Sequence, residues 1–182
     1  MRVIAGEFRS RRLKSVPGEA TRPTPDRLRE TLFDILAPRI QRTVFVDAYA
    51  GTGAVGIEAL SRGASHVYFL EKNREALAAI RENLESLRLE SRSTVLTTPV
   101  ALTLSRVAAQ AAIVFADPPY TSEREYIALF TALEDHPPPL AIVQHSVRFK
   151  LPESAALMAV RSLRQGENAL TFFEPAAAPP AG

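Results

Sequence analysis

From residue 43 onward, short apolar runs alternate with longer stretches in which apolar residues recur every three or four positions. Thr43 to Asp47 (TVFVD) predicts a buried strand, and Val55 to Ser61 reads as a helix stopped by Arg62-Gly63. His66 to Leu70 (HVYFL) predicts a second strand. Across Asn73 to Leu87, Ala76, Leu77, Ile80 and Leu84 share one helical face, while Lys72, Arg74, Glu75, Arg81, Glu82 and Glu85 keep the others wet. Thr94 to Thr97, Ala111 to Ala116 and Leu140 to Gln144 predict further strands, with helices over Val100 to Ala109 and around Tyr126 to Leu133. Such alternation implies parallel strands, right-handed crossovers and helices on both faces of one sheet. The end of the chain departs from it: Ala156 to Leu163 and Ala169 to Glu174 flank Arg164-Gln165-Gly166-Glu167-Asn168 and predict an antiparallel hairpin.

Ahead of the sheet, Arg2 to Phe8 and Arg11 to Lys14 predict a small hairpin around Arg9-Ser10. Thr24 as N-cap and Pro25 at the first helical position open a helix with Leu28, Leu32, Ile35 and Leu36 as its apolar stripe. The expected organisation is a basic N-terminal hairpin module over 1–22, an α/β domain over 23–174, and a disordered Pro/Ala tail over 175–182.

Composition narrows the function classes. At 182 residues with 46% hydrophobic and 23% charged residues, the chain reads as an ordinary globular protein of one main domain. The absence of cysteine excludes disulfides, thiolate zinc sites and cysteine nucleophiles. No stretch has the length and apolarity of a membrane helix or the pattern of a signal peptide, so the expected location is the cytoplasm. His66, His136 and His145 show no ligand spacing, and no metal is expected. The formal charge of +2 is uneven: residues 1–30 carry +4, leaving −2 for the rest. A basic arm on a near-neutral body suits a polyanionic partner as well as it suits a plain solvated face.

Two motifs carry chemistry. Asp47-Ala-Tyr49-Ala-Gly51-Thr-Gly53-Ala-Val-Gly56 contains GxGxxG, and Glu71 ends the next strand. A dinucleotide is the first reading of that pattern. Against it, Gly51 comes four residues after Asp47, and a carboxylate at the strand end would repel pyrophosphate. The same carboxylate suits a ligand bearing an ammonium and a sulfonium, as S-adenosyl-L-methionine does, with Glu71 placed to accept from both ribose hydroxyls. Asp47, Tyr49, Gly51, Gly53, Glu71 and Lys72 are the candidate cofactor residues of this loop region.

The second motif is Asp117-Pro118-Pro119-Tyr120, at the end of the fourth strand. In open α/β sheets ligands bind beyond the carboxyl ends of the strands, where the strand order reverses. Asp117 then lies beside the cofactor loop, and its carboxylate and the Pro118 carbonyl can each accept an N–H from an exocyclic amine. Pro118 and Pro119 restrict the backbone, and the Tyr120 ring offers a surface for a flipped base. Arg9, Arg11, Arg12 and Lys14 are candidate phosphate contacts; Arg27, Arg22 and Thr24 are further RNA-binding candidates, the last two expected to line the pocket near the cofactor or base, with the N-cap role an equal reading of Thr24.

The loop together with DPPY resembles the amino-group methyltransferases that use S-adenosyl-L-methionine, a class with adenine-N6, guanine-N2 and glutamine-amide members. The opening is more specific. Arg2-Val-Ile-Ala-Gly6, Arg9-Ser-Arg11-Arg12-Leu13 and Arg22-Pro-Thr24-Pro-Asp26-Arg27-Leu-Arg29-Glu30-Thr-Leu-Phe33 are similar to the start of the RsmD family, bacterial 16S ribosomal RNA guanine-N2 methyltransferases. The resemblance covers residues 2–174. It implies a Rossmann-like class I methyltransferase fold: seven strands, mostly parallel, with the C-terminal antiparallel hairpin and the N-terminal β-hairpin module. It also implies a guanine of 16S rRNA as substrate, within an assembling small subunit. Ala5 stands where the family commonly has a second glycine. Pro99 stands where relatives usually place a polar residue to read the cofactor's adenine, which leaves the Val100 backbone N–H for that role. An adenine-N6 methyltransferase, a glutamine methyltransferase and a non-enzymatic RNA-binding module are the alternatives.

Overall fold

The computed structural model describes residues 1–16 and 26–177. The predicted alternation is present throughout: α1 (Asp26–Leu36), β1 (Val44–Ala48), α2 (Ala54–Ser61), β2 (His66–Leu70), α3 (Arg74–Leu87), β3 (Ser93–Leu96), α4 (Val100–Ala108), β4 (Ile113–Ala116), α5 (Glu123–Asp135), β5 (Leu140–Ser146), β6 (Leu157–Gln165) and β7 (Asn168–Pro175). One seven-stranded sheet has the order β3-β2-β1-β4-β5-β7-β6, with β7 antiparallel to its neighbours β5 and β6 and every other pair parallel. Strand order reverses between β1 and β4, which opens a crevice above their carboxyl ends.

Side chains alternate across the strands and feed two separate cores. Phe45, Phe69, Phe115 and Ile142 meet α1, α2 and α3 on one face, whereas Val46, Val114, Ala116 and Val143 meet α4 and α5 on the other. Asn73 caps α3, its Oδ1 accepting from Glu75 N at 2.9 Å and Ala76 N at 3.0 Å. Gly56 lies where α2 crosses β2: a Cβ there would come within 2.3 Å of Phe69 Cε1 and 2.9 Å of Val67 Cγ1. Only a residue without a side chain lets the helix sit this close.

The N-terminal segment pairs its two arms as expected, through the Arg2–Arg12 bridge and the bonds from Val3 N to Arg11 O and from Leu13 N to Met1 O, each at 3.0 Å. The backbone donors nearer the turn are used by α2 instead. Ile4 N and Ala5 N donate to the Glu58 carboxylate at 2.8 and 3.0 Å, and Glu7 N and Phe8 N donate to Ser61 O and Oγ. Glu58 is fully buried and also accepts from Arg62 Nε at 2.8 Å. Val3 and Leu13 enter the same core as α1 and α2. This coverage explains why α2 is buried from Val55 through Ser61.

Arg29, counted with the basic arm from its charge alone, is fully buried; its Nη2 donates to Arg2 O and Asp26 Oδ1. At the other end, β7 runs to Pro175 and Ala176 N donates to Ala156 O at 2.8 Å, so the sheet extends into the segment expected to be disordered. Residues 178–182 lie outside the described residues, as do Arg22, Thr24 and Pro25. Among the described residues no helix is long and apolar enough to cross a membrane.

Candidate active site

The loop after β1 is organised by the acids that sequence singled out. Asp47 is 1% exposed, and its Oδ2 accepts from Gly56 N at 2.8 Å, tying the end of β1 to the first turn of α2. Glu71 Oε2 accepts from Gly51 N at 2.8 Å, while Oε1 accepts from Lys72 N and Asn73 N, each at 2.8 Å. A carboxylate has about four acceptor positions, so Glu71 retains room for one ribose hydroxyl. Accepting both, as expected from sequence, requires one backbone bond to yield.

Gly51 adopts φ +54 and a Cβ there would meet nothing within 4 Å, so the loop presents open space at its crest. Gly53 caps α2 in the left-handed conformation. Around this loop stand backbone N–H groups of a helix start and three acids, Asp47, Glu71 and Asp117. That donor and acceptor set fits a ligand carrying one carboxylate, an ammonium and a sulfonium.

The Asp47 carboxyl is held well above the usual carboxylate range by burial; the Gly56 N–H opposes this and the charges of Asp117 and Glu71 add to it. A carboxyl raised on folding favours the folded state below its unfolded pKa, and that advantage is lost as pH rises through the folded value. Asp47→Asn keeps an acceptor for Gly56 N without the charge. It is expected to melt a few degrees above the unaltered protein at pH 8, with the gap closing towards pH 4 and reversing when the cationic cofactor is present. Melting curves across pH, with and without cofactor, check this; an unaltered protein that is the more stable at pH 8 without cofactor would refute it.

Tyr49, in the left-handed region at φ +63, donates its hydroxyl to Glu125 Oε2 at 2.9 Å. Lys72 Nζ lies 3.2 Å from Glu125 Oε1, so Glu125 links the loops after β1 and β2 to the start of α5. Val100 is buried at the start of α4, after Pro99 as N-cap. The first backbone N–H groups of a helix lack intrahelical acceptors, and that of Val100 is one of them.

At the end of β4, Asp117 N donates to Ala48 O at 3.3 Å, which keeps the two strand ends level. Asp117 and Tyr120 are half-buried, Pro118 is buried and Pro119 is exposed. Asp117 Oδ2 accepts from Gln144 Nε2 at 3.0 Å, the same nitrogen lies 3.0 Å from Tyr120 Oη, and Tyr120 Oη donates to Asn168 Oδ1 at 2.9 Å. Tyr126 Oη makes a long 3.5 Å contact to Pro118 O. Burial, with the Asp117 charge, pushes the Tyr120 phenol up to about 12, against the opposing bond from Gln144, so it stays a donor at neutral pH. Gln144, Asn168, Glu125 and Tyr126 were not singled out from sequence. The available signal was an amide ending the apolar run LAIVQ.

The basic candidates lie on the N-terminal segment and α1. Arg9, Arg11, Arg12, Lys14 and Arg27 are exposed. Arg11 Nη2 donates to Ser86 O, and Lys14 pairs with Glu82. Among the described residues, Arg9, Arg12 and Arg27 form no salt bridge. His145 is buried and bonded to Thr171 Oγ1, and no group of three or more described His, Asp or Glu residues is placed to hold a metal.

Residues 1–174 match the family model described as Conserved hypothetical protein 95. The chain is 33% identical over 161 residues to YlbH of Bacillus subtilis, covering 85% of this chain and 87% of that protein. It is 38% identical over 120 residues to Ribosomal RNA small subunit methyltransferase D of Escherichia coli K12, covering 66% of this chain and 60% of that relative, less than two thirds of its length. Among solved structures, YhhF of Escherichia coli superposes with a TM-score of 0.82 at 32% identity, covering 98% of this chain and 99% of that one. With its sheet order, its glycine loop and these relatives, the chain belongs to the RsmD family and has the class I S-adenosylmethionine-dependent methyltransferase fold.

Proposed function

We propose that the protein transfers a methyl group from S-adenosyl-L-methionine to the exocyclic N2 amine of a guanine in 16S ribosomal RNA, within an assembling small subunit. The observation that carries this reading is the placement of Asp117 and Pro118 at the end of β4, level with the glycine loop across the β1/β4 crevice. When bound, the cofactor supplies a methyl made electrophilic by its sulfonium. Asp47, Tyr49, Gly51, Gly53, Glu71, Lys72 and Val100 form its cradle, with Asp117 at the boundary with substrate.

The amine lone pair of guanine is delocalised into the ring, so it must be turned towards the methyl group. The Asp117 carboxylate and Pro118 carbonyl each accept one amine N–H, which orients the lone pair and stabilises the cation as the N–C bond forms. Pro119 holds the carbonyl direction, and the Tyr120 ring receives the base face. The extra proton leaves the methylated amine for solvent. Arg9, Arg11, Arg12, Lys14 and Arg27 contact RNA phosphates, and Arg22 and Thr24 belong to the same segment. Such a substrate places the protein in the cytoplasm.

The test is to incubate the protein and labelled cofactor with small subunits lacking the modification, then identify the labelled nucleoside. N2-methylguanosine is expected; N6-methyladenosine, or label in protein alone, overturns the assignment. Replacing Arg9, Arg11 and Arg12 together by alanine is expected to weaken RNA binding. It should also make the log–log salt slope shallower by roughly 0.7 to 0.9 for each phosphate left without its cation. An unchanged slope would remove these residues from the interface.

A further inference from the structure

We infer that Gln144 is the positioning residue of the transfer site, holding the Asp117 carboxylate and the Tyr120 ring as one preset unit. The inference rests on the reading of Asp117 as acceptor of the substrate amine. Gln144 ends the apolar part of β5 and is 2% exposed, so its amide has left water and must be satisfied inside the protein. Its Nε2 is 3.0 Å from Asp117 Oδ2 and 3.0 Å from Tyr120 Oη. A primary amide nitrogen carries two hydrogens, and here it meets two acceptors. The reversed amide would set its carbonyl against the Asp117 carboxylate, so the hydrogen-bond pattern dictates which atom faces the site. Tyr120 Oη, having accepted from Gln144, has one hydrogen, and it goes to Asn168 Oδ1 at 2.9 Å.

The resulting relay runs in one direction, from Gln144 to Tyr120 to Asn168, with a branch to Asp117. Its ends are rigidly built: Ser146 of β5 is paired with Asn168 at the start of β7, and Tyr126 Oη lies 3.4 Å from Gln144 O. The groups it holds are the soft ones. A carboxylate turns easily about its terminal torsion, and Tyr120 sits in a loop beyond two prolines. A donor on Oδ2 sets the carboxylate plane, and the anchored hydroxyl sets the ring plane. Gln144 is also neutral. A lysine or arginine in its place would hold Asp117 as firmly but would offset the negative charge that the forming cationic amine needs.

Gln144→Met fills the same volume without the donors. It is expected to lower kcat by roughly 10- to 100-fold, the cost of a misplaced reacting group, with KM for the RNA and Kd for the cofactor within about threefold of the unaltered protein. Tyr120→Phe keeps the ring but interrupts the relay, so the double variant is expected to lose little beyond the worse single variant. A kcat within about threefold of the unaltered protein, a parallel loss of cofactor affinity, or full additivity with Tyr120→Phe would each overturn the inference. If Gln144→Met does not fold, Asn168→Ala at the partly exposed hairpin corner carries the same test, with a smaller fall in kcat and an unchanged cofactor Kd. Rates are read as total methyl transfer to small-subunit RNA. The labelled nucleoside made by the unaltered protein tests the guanine assignment separately.

Discussion

Asp117→Ala is expected to reduce methyl transfer by about 10²- to 10³-fold, the usual cost of removing one preset electrostatic partner of a transition state, while cofactor binding is retained with a much smaller loss of affinity. The asymmetry follows from the site's layout. Asp117 stands at the end of β4, whereas the glycine loop and Glu71 stand at the ends of β1 and β2. Its carboxylate matters most when positive charge develops on the amine, a state that free cofactor does not reach. The Pro118 carbonyl remains, so residual transfer is expected. Asp117→Asn should fall to a similar level, because an amide can accept one N–H but contributes no charge. Equilibrium binding of labelled cofactor alongside single-turnover transfer separates the two effects. If both variants lose cofactor affinity in step with rate, Asp117 belongs to cofactor recognition.

Gly56→Ala is expected to have the largest effect on stability of the substitutions considered. Two terms oppose each other. Alanine favours a helix over glycine by about 1 kcal/mol. Against this, its Cβ would lie 2.3 Å from Phe69 Cε1 and 2.9 Å from Val67 Cγ1, and both side chains are fully buried. Overpacking of a close-packed core typically costs about 1–3 kcal/mol and sometimes more. Because the contact is with a fully buried aromatic ring in a close-packed core, the clash outweighs propensity. The difference leaves a net cost of up to about 2 kcal/mol, and at about 2–4 °C per kcal/mol for a chain of this size a fall of up to roughly 8 °C in melting temperature is expected. Moving α2 outward also stretches the bond from Gly56 N to Asp47 Oδ2, so cofactor affinity should weaken with it. A variant that melts at or above the unaltered protein would show that the Phe69 ring relaxes.

The central strands, the crevice and the acids around it were legible because they rest on local rules. Apolar runs of strand length predicted β1, β2, β4 and β5 to within two residues at each end. That Asp47, Glu71 and Asp117 fall at strand ends, with Gly51 and Gly53 in the turn between them, follows from how a chain must turn there. The N-terminal hairpin illustrates the limit. Its two arms pair as the pattern allowed, but the pattern held nothing of the donors of Ile4, Ala5, Glu7 and Phe8, which bond to Glu58 and Ser61, more than 50 residues away in sequence. Glu58 carried no signal, since an acid in a helix ordinarily faces water.

Local chemistry by itself therefore determined the order of elements, the two motifs, and the edge of the sheet where they meet. Periodicity and backbone restriction act over a few residues, which is why they can be read from the chain. Tertiary structure decided the partners of the buried polar side chains. It turned Arg29 from a free cation into a buried link to Arg2 O, committed most of Glu71 to the loop it closes, and set Gln144 between Asp117 and Tyr120. Each of these bonds joins groups that share no local pattern, from 20 to 27 positions apart. A buried polar group must find a partner, but which partner depends on the packing of the whole sheet.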